Sequence, residues 1–168
     1  LPRYALGNWW SRFHRYTQDS YLELMDRFEE EGVPFTAAVI DMDWHLVDID
    51  PVYGSGWTGY TWNTGLFPDH KGFLRELHRR GLAVTLNLHP RDGIRVFEKE
   101  YVRVAQEAGQ DPRKGKAVEF DLTDPRFVRA YPIFDAVEVK YGWNSSDFHE
   151  IIVSPENPME YLCEPGPA

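Results

Sequence analysis

The strongest constraint in this sequence is an alternation. Three short, nearly unbroken apolar runs, residues 4–10, 35–40 and 82–88, are separated by stretches whose apolar residues recur with helical period. Strands buried on both faces read as continuous apolar runs, which is the pattern of a parallel sheet covered by helices. Strand, helix, strand, helix, strand, helix in that order predicts an α/β fold of successive right-handed βαβ units. In residues 17–31, Tyr21, Leu24, Met25 and Phe28 fall on one helical face, with Thr17 as N-cap and Gly32 as the stop. A second helix is predicted from Asp69, after Pro68, through Phe73, Leu74 and Leu77 to Gly81, with Arg79 and Arg80 in its last turn. A third is predicted over 94–108, where Phe97, Tyr101, Val104, Ala105 and Ala108 share a face before Gly109.

The remainder is less regular. Asp124-Pro125 can start a short helix through Phe127 and Ala130. Residues 136–140 and 149–153 read as weak strands joined by a turn at 142–146. From Ser154 onward four prolines, at 155, 158, 165 and 167, predict an irregular tail. Residues 45–68 are too long for a plain turn and hold Trp57, Tyr60, Trp62 and Phe67 beside Gly54, Gly56 and Gly59. Such a loop is either a binding loop or a loop with a small aromatic core of its own. The Gly54-x-Gly56-x-x-Gly59 spacing matches a dinucleotide fingerprint by letter only, since it follows no strand and opens no helix.

Composition narrows the function classes. The net charge of −9 argues against nucleic acid as a partner, because phosphate binding needs clustered Lys and Arg. No apolar run nears the roughly 18 residues of a membrane span, so no membrane partner is expected. Cys163 is the single cysteine and can form no internal disulfide. The chain starts at Leu1, and its opening stretch lacks the separate basic and apolar regions of a signal peptide. It reads as a piece of something longer, with a cytoplasmic setting slightly favoured. Aromatic residues reach 15%, and five of the six Trp fall within the first 62 residues. Their large faces and polar tips suit cores and sugar-stacking platforms alike.

In parallel α/β folds the site lies at the carboxyl ends of the strands. Here those ends carry Asn8-Trp9-Trp10-Ser11-Arg12, Asp41-Met42-Asp43-Trp44-His45 and Asn87-Leu88-His89-Pro90. Asp41 and Asp43 are two apart and share a side if the backbone is extended. Three readings stay open. The carboxylates accept hydrogen bonds from sugar hydroxyls beside Trp rings, or they join His45 and His89 on a metal, or one of them caps a loop or pairs with Arg12. A nucleophilic serine elbow is absent from the sequence, and Cys163 has no His neighbour.

These segments, together with Gly56-Trp57-Thr58-Gly59-Tyr60-Thr61-Trp62-Asn63, Leu66-Phe67-Pro68-Asp69 and Val84-Thr85-Leu86-Asn87-Leu88-His89-Pro90, resemble glycoside hydrolase family 31. That is the family of α-glucosidases and α-xylosidases. The resemblance covers residues 1–131 and implies part of a (β/α)₈ TIM barrel, about three strand–helix units, with 132–168 as a divergent tail. It implies that Asp41 binds hydroxyls of the sugar in the −1 subsite, that Met42 lines the same pocket, and that Asn87 is a pocket residue on the third strand. With Trp10, Arg12, Asp43, Trp44 and His89 these form the expected substrate-binding set. No catalytic residue is assigned, because the family carries its nucleophile after the fourth strand in a Trp-x-Asp-Trp-like segment that is not found here. Asp135 and Asp147 lie in surroundings that do not match. No cofactor and no metal are implied. The expectation is a fragment of a retaining α-glycoside hydrolase, acting on α-linked glucosides and inactive alone. The alternatives are a non-catalytic carbohydrate-binding α/β protein and a metal-dependent hydrolase using Asp41, Asp43 and His89. Open strand edges would pair with the remaining barrel or with a second copy.

Overall fold

Helix α1 (Gln18–Glu30) begins where its sequence provides for the orphan amides of a helix end. The Thr17 hydroxyl accepts from the Ser20 backbone N–H at 3.1 Å, and the Ser20 hydroxyl accepts from the Thr17 N–H at 2.9 Å, a reciprocal capping box. Tyr21 and Met25 are its buried face, and Gly32 leaves the helix at φ 68°. Helix α2 (His70–Arg79) starts under an Asp69 carboxylate that accepts from the Gly72 N–H at 2.9 Å. It buries Phe73, Leu74 and Leu77 and ends at Gly81, φ 77°. The computed structural model describes residues 3–130 together with the backbone of 150–152.

The helices cover one face of a sheet ordered β1 (Trp9–Trp10), β2 (Ala37–Ile40), β3 (Ala83–Asn87), β4 (Glu150–Ile152). The first three strands are parallel, with Trp9 opposite Ala37, and with Ala37 to Ile40 opposite Ala83 to Leu86 in order. Ala38, Ile40, Val84 and Leu86 pack with Tyr21, Met25, Leu74 and Leu77 in the main core. The Tyr21 hydroxyl also donates to the Val39 carbonyl at 3.0 Å, tying helix to strand. This is the α/β arrangement that the apolar runs predict: a small parallel sheet with helices, consistent with part of a barrel. Among the described residues no helix is long and apolar enough to cross a membrane.

Three expectations change. The run 4–10 is a strand only at β1, because residues Arg3–Leu6 form a 3₁₀ turn. There the Tyr4 carbonyl is taken by the Thr36 hydroxyl at 2.8 Å and the Trp9 indole at 3.1 Å instead of by a strand partner. The third helix, α3, is Tyr101–Glu107 rather than 94–108. Its expected first turns are lost because Ile94 exchanges both backbone hydrogen bonds with Val118 at 2.8 Å, an antiparallel bridge that no helix permits. Strand β4 falls within the expected 149–153 segment but runs antiparallel to β3, pairing Thr85 with Ile152 and Asn87 with Glu150. It pairs with the β3 edge that β2 leaves open. Helix α4 (Pro125–Ala130) follows Asp124 as expected. The strand at 136–140, the turn at 142–146 and the tail from 153 lie outside the described residues.

Candidate functional site

Strand alternation gives the sheet two faces, and the helices take one of them. Ala37, Val39, Thr85 and Asn87 have the opposite parity, and Asp41, the first residue beyond β2, continues that row beside Asn87. Asp41 has extended backbone, and its Oδ1 accepts from the Met42 N–H at 2.7 Å and from the Asn87 side-chain amide at 3.1 Å. The carboxylate requires a donor, so the Asn87 NH₂ must face it and Oδ1 must face away. That Oδ1 is buried and has no hydrogen-bond partner among the described residues. An acceptor left in this state costs free energy until a donor reaches it. Backbone geometry is fixed from below by the Trp44 indole, which donates to the Asn87 carbonyl at 2.8 Å. The carboxyl ends of two neighbouring parallel strands thus present a carboxylate and an amide locked together, with acceptor capacity to spare.

Asp43 does not reach this place by strand alternation. Residues Met42–Trp44 form a 3₁₀ turn, so the two aspartates do not stand two apart on an extended chain. They still feel one another. Partial burial raises the Asp43 pKa above the ordinary carboxylate range, Asp41 and Asp48 add to the rise, and Arg15 and His14 oppose it. The cation beside the acidic turn is Arg15, paired with Asp48 at 3.0 Å, whereas Arg12 is exposed and makes no ion pair with either aspartate.

Other expected members of the set are elsewhere. Trp10 shares the parity of Ala38 and packs edge-on against Phe28 and Phe35 at 4.7 and 6.0 Å, so it belongs to the helix layer. Its neighbour Trp9, with the parity of Ala37, is on the face of Asp41 and Asn87. Trp44 is a core residue, 1% exposed, against Trp62 and His45, and Met42, two residues before it, is also buried. His89 remains at the rim, half-buried, with its ring edge-on to Trp57 at 5.2 Å. His45 is fully buried; its Nδ1–H donates to the Leu46 carbonyl at 3.1 Å. Burial above all holds its pKa down to about 4, helped by the nearby Arg95 and His89 charges and opposed by backbone hydrogen bonds at Leu46 and Trp57. Among the described residues no group of three His, Cys, Asp or Glu could hold a metal ion, so the metal reading lacks a ligand set.

Residues 45–68 divide between both readings of the loop. Tyr60, Thr58 and Phe67 are buried, and Trp62 stacks on His70 at 4.9 Å. Trp57 stays 54% exposed and stacks on the exposed Phe13 at 6.1 Å. The glycine spacing has a steric cause. A Cβ on Gly59 would lie 2.1 Å from His45 Nδ1, and one on Gly56 would lie 2.1 Å from the Val47 carbonyl oxygen. Two residues that the helical reading of 94–108 concealed hold this loop. The Arg95 guanidinium donates to the carbonyls of Tyr53 (3.2 Å), Ser55 (2.7 Å) and Thr58, and Glu98 accepts from the Tyr60 N–H (3.2 Å) and the Thr61 hydroxyl. Their sequence signal is slight: two opposite charges three apart inside an apolar stretch.

The sequence model described as "Glycosyl hydrolases family 31 TIM-barrel domain" matches residues 1–164, beyond residue 131 where the resemblance stops. An α-glucosidase of Saccharolobus solfataricus is 34% identical over 96 residues, which are 56% of this chain and 12% of that protein. An α-xylosidase of the same organism is 28% identical over 94 residues, 55% of this chain and 12% of that protein. The aligned part therefore spans about an eighth of either relative. The structure of an α-xylosidase from a soil metagenome, complexed with xylose, covers 91% of this chain and 18% of its own at 18% identity and a TM-score of 0.47, a likeness too low to argue from. With the family match running over nearly every residue, the chain belongs to glycosyl hydrolase family 31, in its TIM-barrel domain.

Proposed function

We propose that this chain supplies one wall of the sugar pocket of an α-glycoside hydrolase acting on α-linked glucosides or xylosides. The observation that carries the reading is the Asp41–Asn87 pair at the carboxyl ends of adjacent parallel strands, the place where barrel enzymes build their sites. Asp41 keeps its second carboxylate oxygen for sugar hydroxyls, and Asn87 Oδ1 takes another. Charge-assisted hydrogen bonds of this kind are about twice as strong as neutral ones. The names of the α-glucosidase and α-xylosidase relatives support the substrate class.

Retention requires two carboxyl groups about 5–5.5 Å apart, one a nucleophile and one an acid/base. Neither is assigned within residues 3–130, and Asp135 and Asp147 lie outside the described residues. On this reading the chain binds sugar without cleaving it, and the covalent chemistry belongs to other segments of the enzyme. Calorimetry with methyl α-glucoside and methyl α-xyloside, beside turnover assays on their nitrophenyl counterparts, tests this. Binding weakened roughly 10- to 100-fold in Asp41→Ala, with no turnover, is the expected result. Hydrolysis abolished by Asp135→Asn or Asp147→Asn would contradict it.

A further inference from the structure

We propose that Trp57, held in place by Arg95 and Glu98, is a stacking face for a second sugar ring beside the one bound at Asp41 and Asn87. This rests on the sugar-pocket reading and extends it. Large aromatic groups in a folded chain are normally buried, yet this indole is 54% exposed while its loop neighbours Thr58 and Tyr60 are buried. It lies where two strand-end loops meet, stacked on Phe13 from the loop after β1, its planes within 20° of parallel. Its ring also lies edge-on to that of His89, 5.2 Å between centroids, and His89 is two residues past Asn87, within about 7 Å of it along the backbone. His89 thus links the Asp41–Asn87 position to the indole, and in this proposal the second ring, not the first, lies on it.

The anchoring below it is what separates a platform from a loose loop. The side chains of Arg95 and Glu98 are 4% and 1% exposed and stand 3.7 Å apart. Burying both charges carries a desolvation cost that their mutual attraction only partly offsets. Arg95 uses its donors on three loop carbonyls and Glu98 uses one oxygen on the Tyr60 amide and Thr61 hydroxyl. Asp92 adds a bond from the Ser55 N–H at 3.2 Å, and the Lys99 N–H donates to the Thr61 hydroxyl at 2.9 Å. Every one of these contacts falls within residues 53–61, so the segment bearing Trp57 is fixed from both sides. Arg95 and Glu98 touch no ligand and act as positioning residues. A rigid aromatic surface loses little freedom when a sugar face settles on it.

The test uses the full 168-residue chain labelled with 5-fluorotryptophan, in the parent form and as Trp57→Ala, Glu98→Ala and Thr61→Val. The Trp57 fluorine resonance is assigned by its absence from Trp57→Ala. Calorimetry compares methyl α-glucoside with maltose and isomaltose. The parent is expected to bind a disaccharide about 2- to 10-fold tighter than the monosaccharide. Trp57→Ala should erase that ratio and leave monosaccharide affinity unchanged. Glu98→Ala should lower the ratio and shift or broaden the Trp57 resonance alone. Thr61→Val, which removes one hydroxyl from the anchor, should do the same to a lesser degree and serves if Glu98→Ala does not fold. A ratio unmoved by Trp57→Ala, with monosaccharide still bound, overturns the platform alone. An unmoved Trp57 resonance in both anchor variants overturns the positioning role. Absence of all sugar binding in the parent overturns the pocket reading and this one together.

Discussion

Lowering the pH should destabilise this protein through His45 in a defined window. The ring is fully buried, packed against Gly59 and bonded through Nδ1–H to the Leu46 carbonyl, and its pKa is held down to about 4 from an ordinary 6.5. The folded state thus keeps His45 neutral while the unfolded chain protonates it, so between about pH 6.5 and 4 the unfolded state binds the extra proton. Stability from this source is fully present above pH 6.5, falls as pH drops toward 4, and stays lost below. A tenfold change in proton affinity is worth about 1.4 kcal/mol, so the loss approaches about 3 kcal/mol. Urea unfolding at half-unit steps from pH 7.5 to 4, in the parent and in His45→Asn, isolates the effect. Asn keeps a donor near the Nδ1 position and does not titrate. The variant will be less stable at pH 7 because it opens space in the core, but its pH dependence should be flatter by up to about 1.4 kcal/mol per pH unit. Parallel pH curves for the two proteins would refute the reasoning.

Other changes follow from the same packing. Gly59→Ala places a methyl 2.1 Å from His45 Nδ1, and should cost about 1–3 kcal/mol in chemical denaturation. Trp44→Phe leaves the Asn87 carbonyl without its 2.8 Å indole donor, and should lower stability by about 1–3 kcal/mol and weaken sugar affinity, both measurable on one preparation. Thr17→Ala removes the α1 capping box and should cost about 1 kcal/mol with sugar binding unaffected. Chelation followed by dialysis should leave sugar binding unchanged, and stoichiometric zinc by elemental analysis would reopen the metal reading of Asp41 and Asp43.

The parts of the fold legible in sequence are those whose signal is local. Thr17 and Gly32 bracket α1, and Asp69 and Gly81 bracket α2, because caps and positive-φ glycines act within a few residues. The start of helix α3 is not legible, because Ile94 pairs with Val118, a contact set by tertiary structure that periodicity cannot register. Of the site, Asp41 and Asn87 are legible from the rule that strand ends carry chemistry, and the structure joins them. Which of the adjacent indoles Trp9 and Trp10 faces the helices is not legible, since only the pairing register decides it and puts Trp10 there. Trp44 and His45 look identical in sequence to rim residues, because a 3₁₀ turn directly after a strand folds them inward without changing their composition. Arg95 and Glu98 were hidden by the helical pattern around them.

The most direct test of the central claim is the Asn87 side-chain amide in an ¹⁵N-resolved spectrum of the full chain, assigned by its loss in Asn87→Ala. Titration with methyl α-glucoside or methyl α-xyloside should move this signal with saturation, and the movement should vanish in Asp41→Ala. Sugar-dependent shifts that bypass Asn87, or that persist unchanged without the Asp41 carboxylate, would contradict a sugar rim at the ends of β2 and β3.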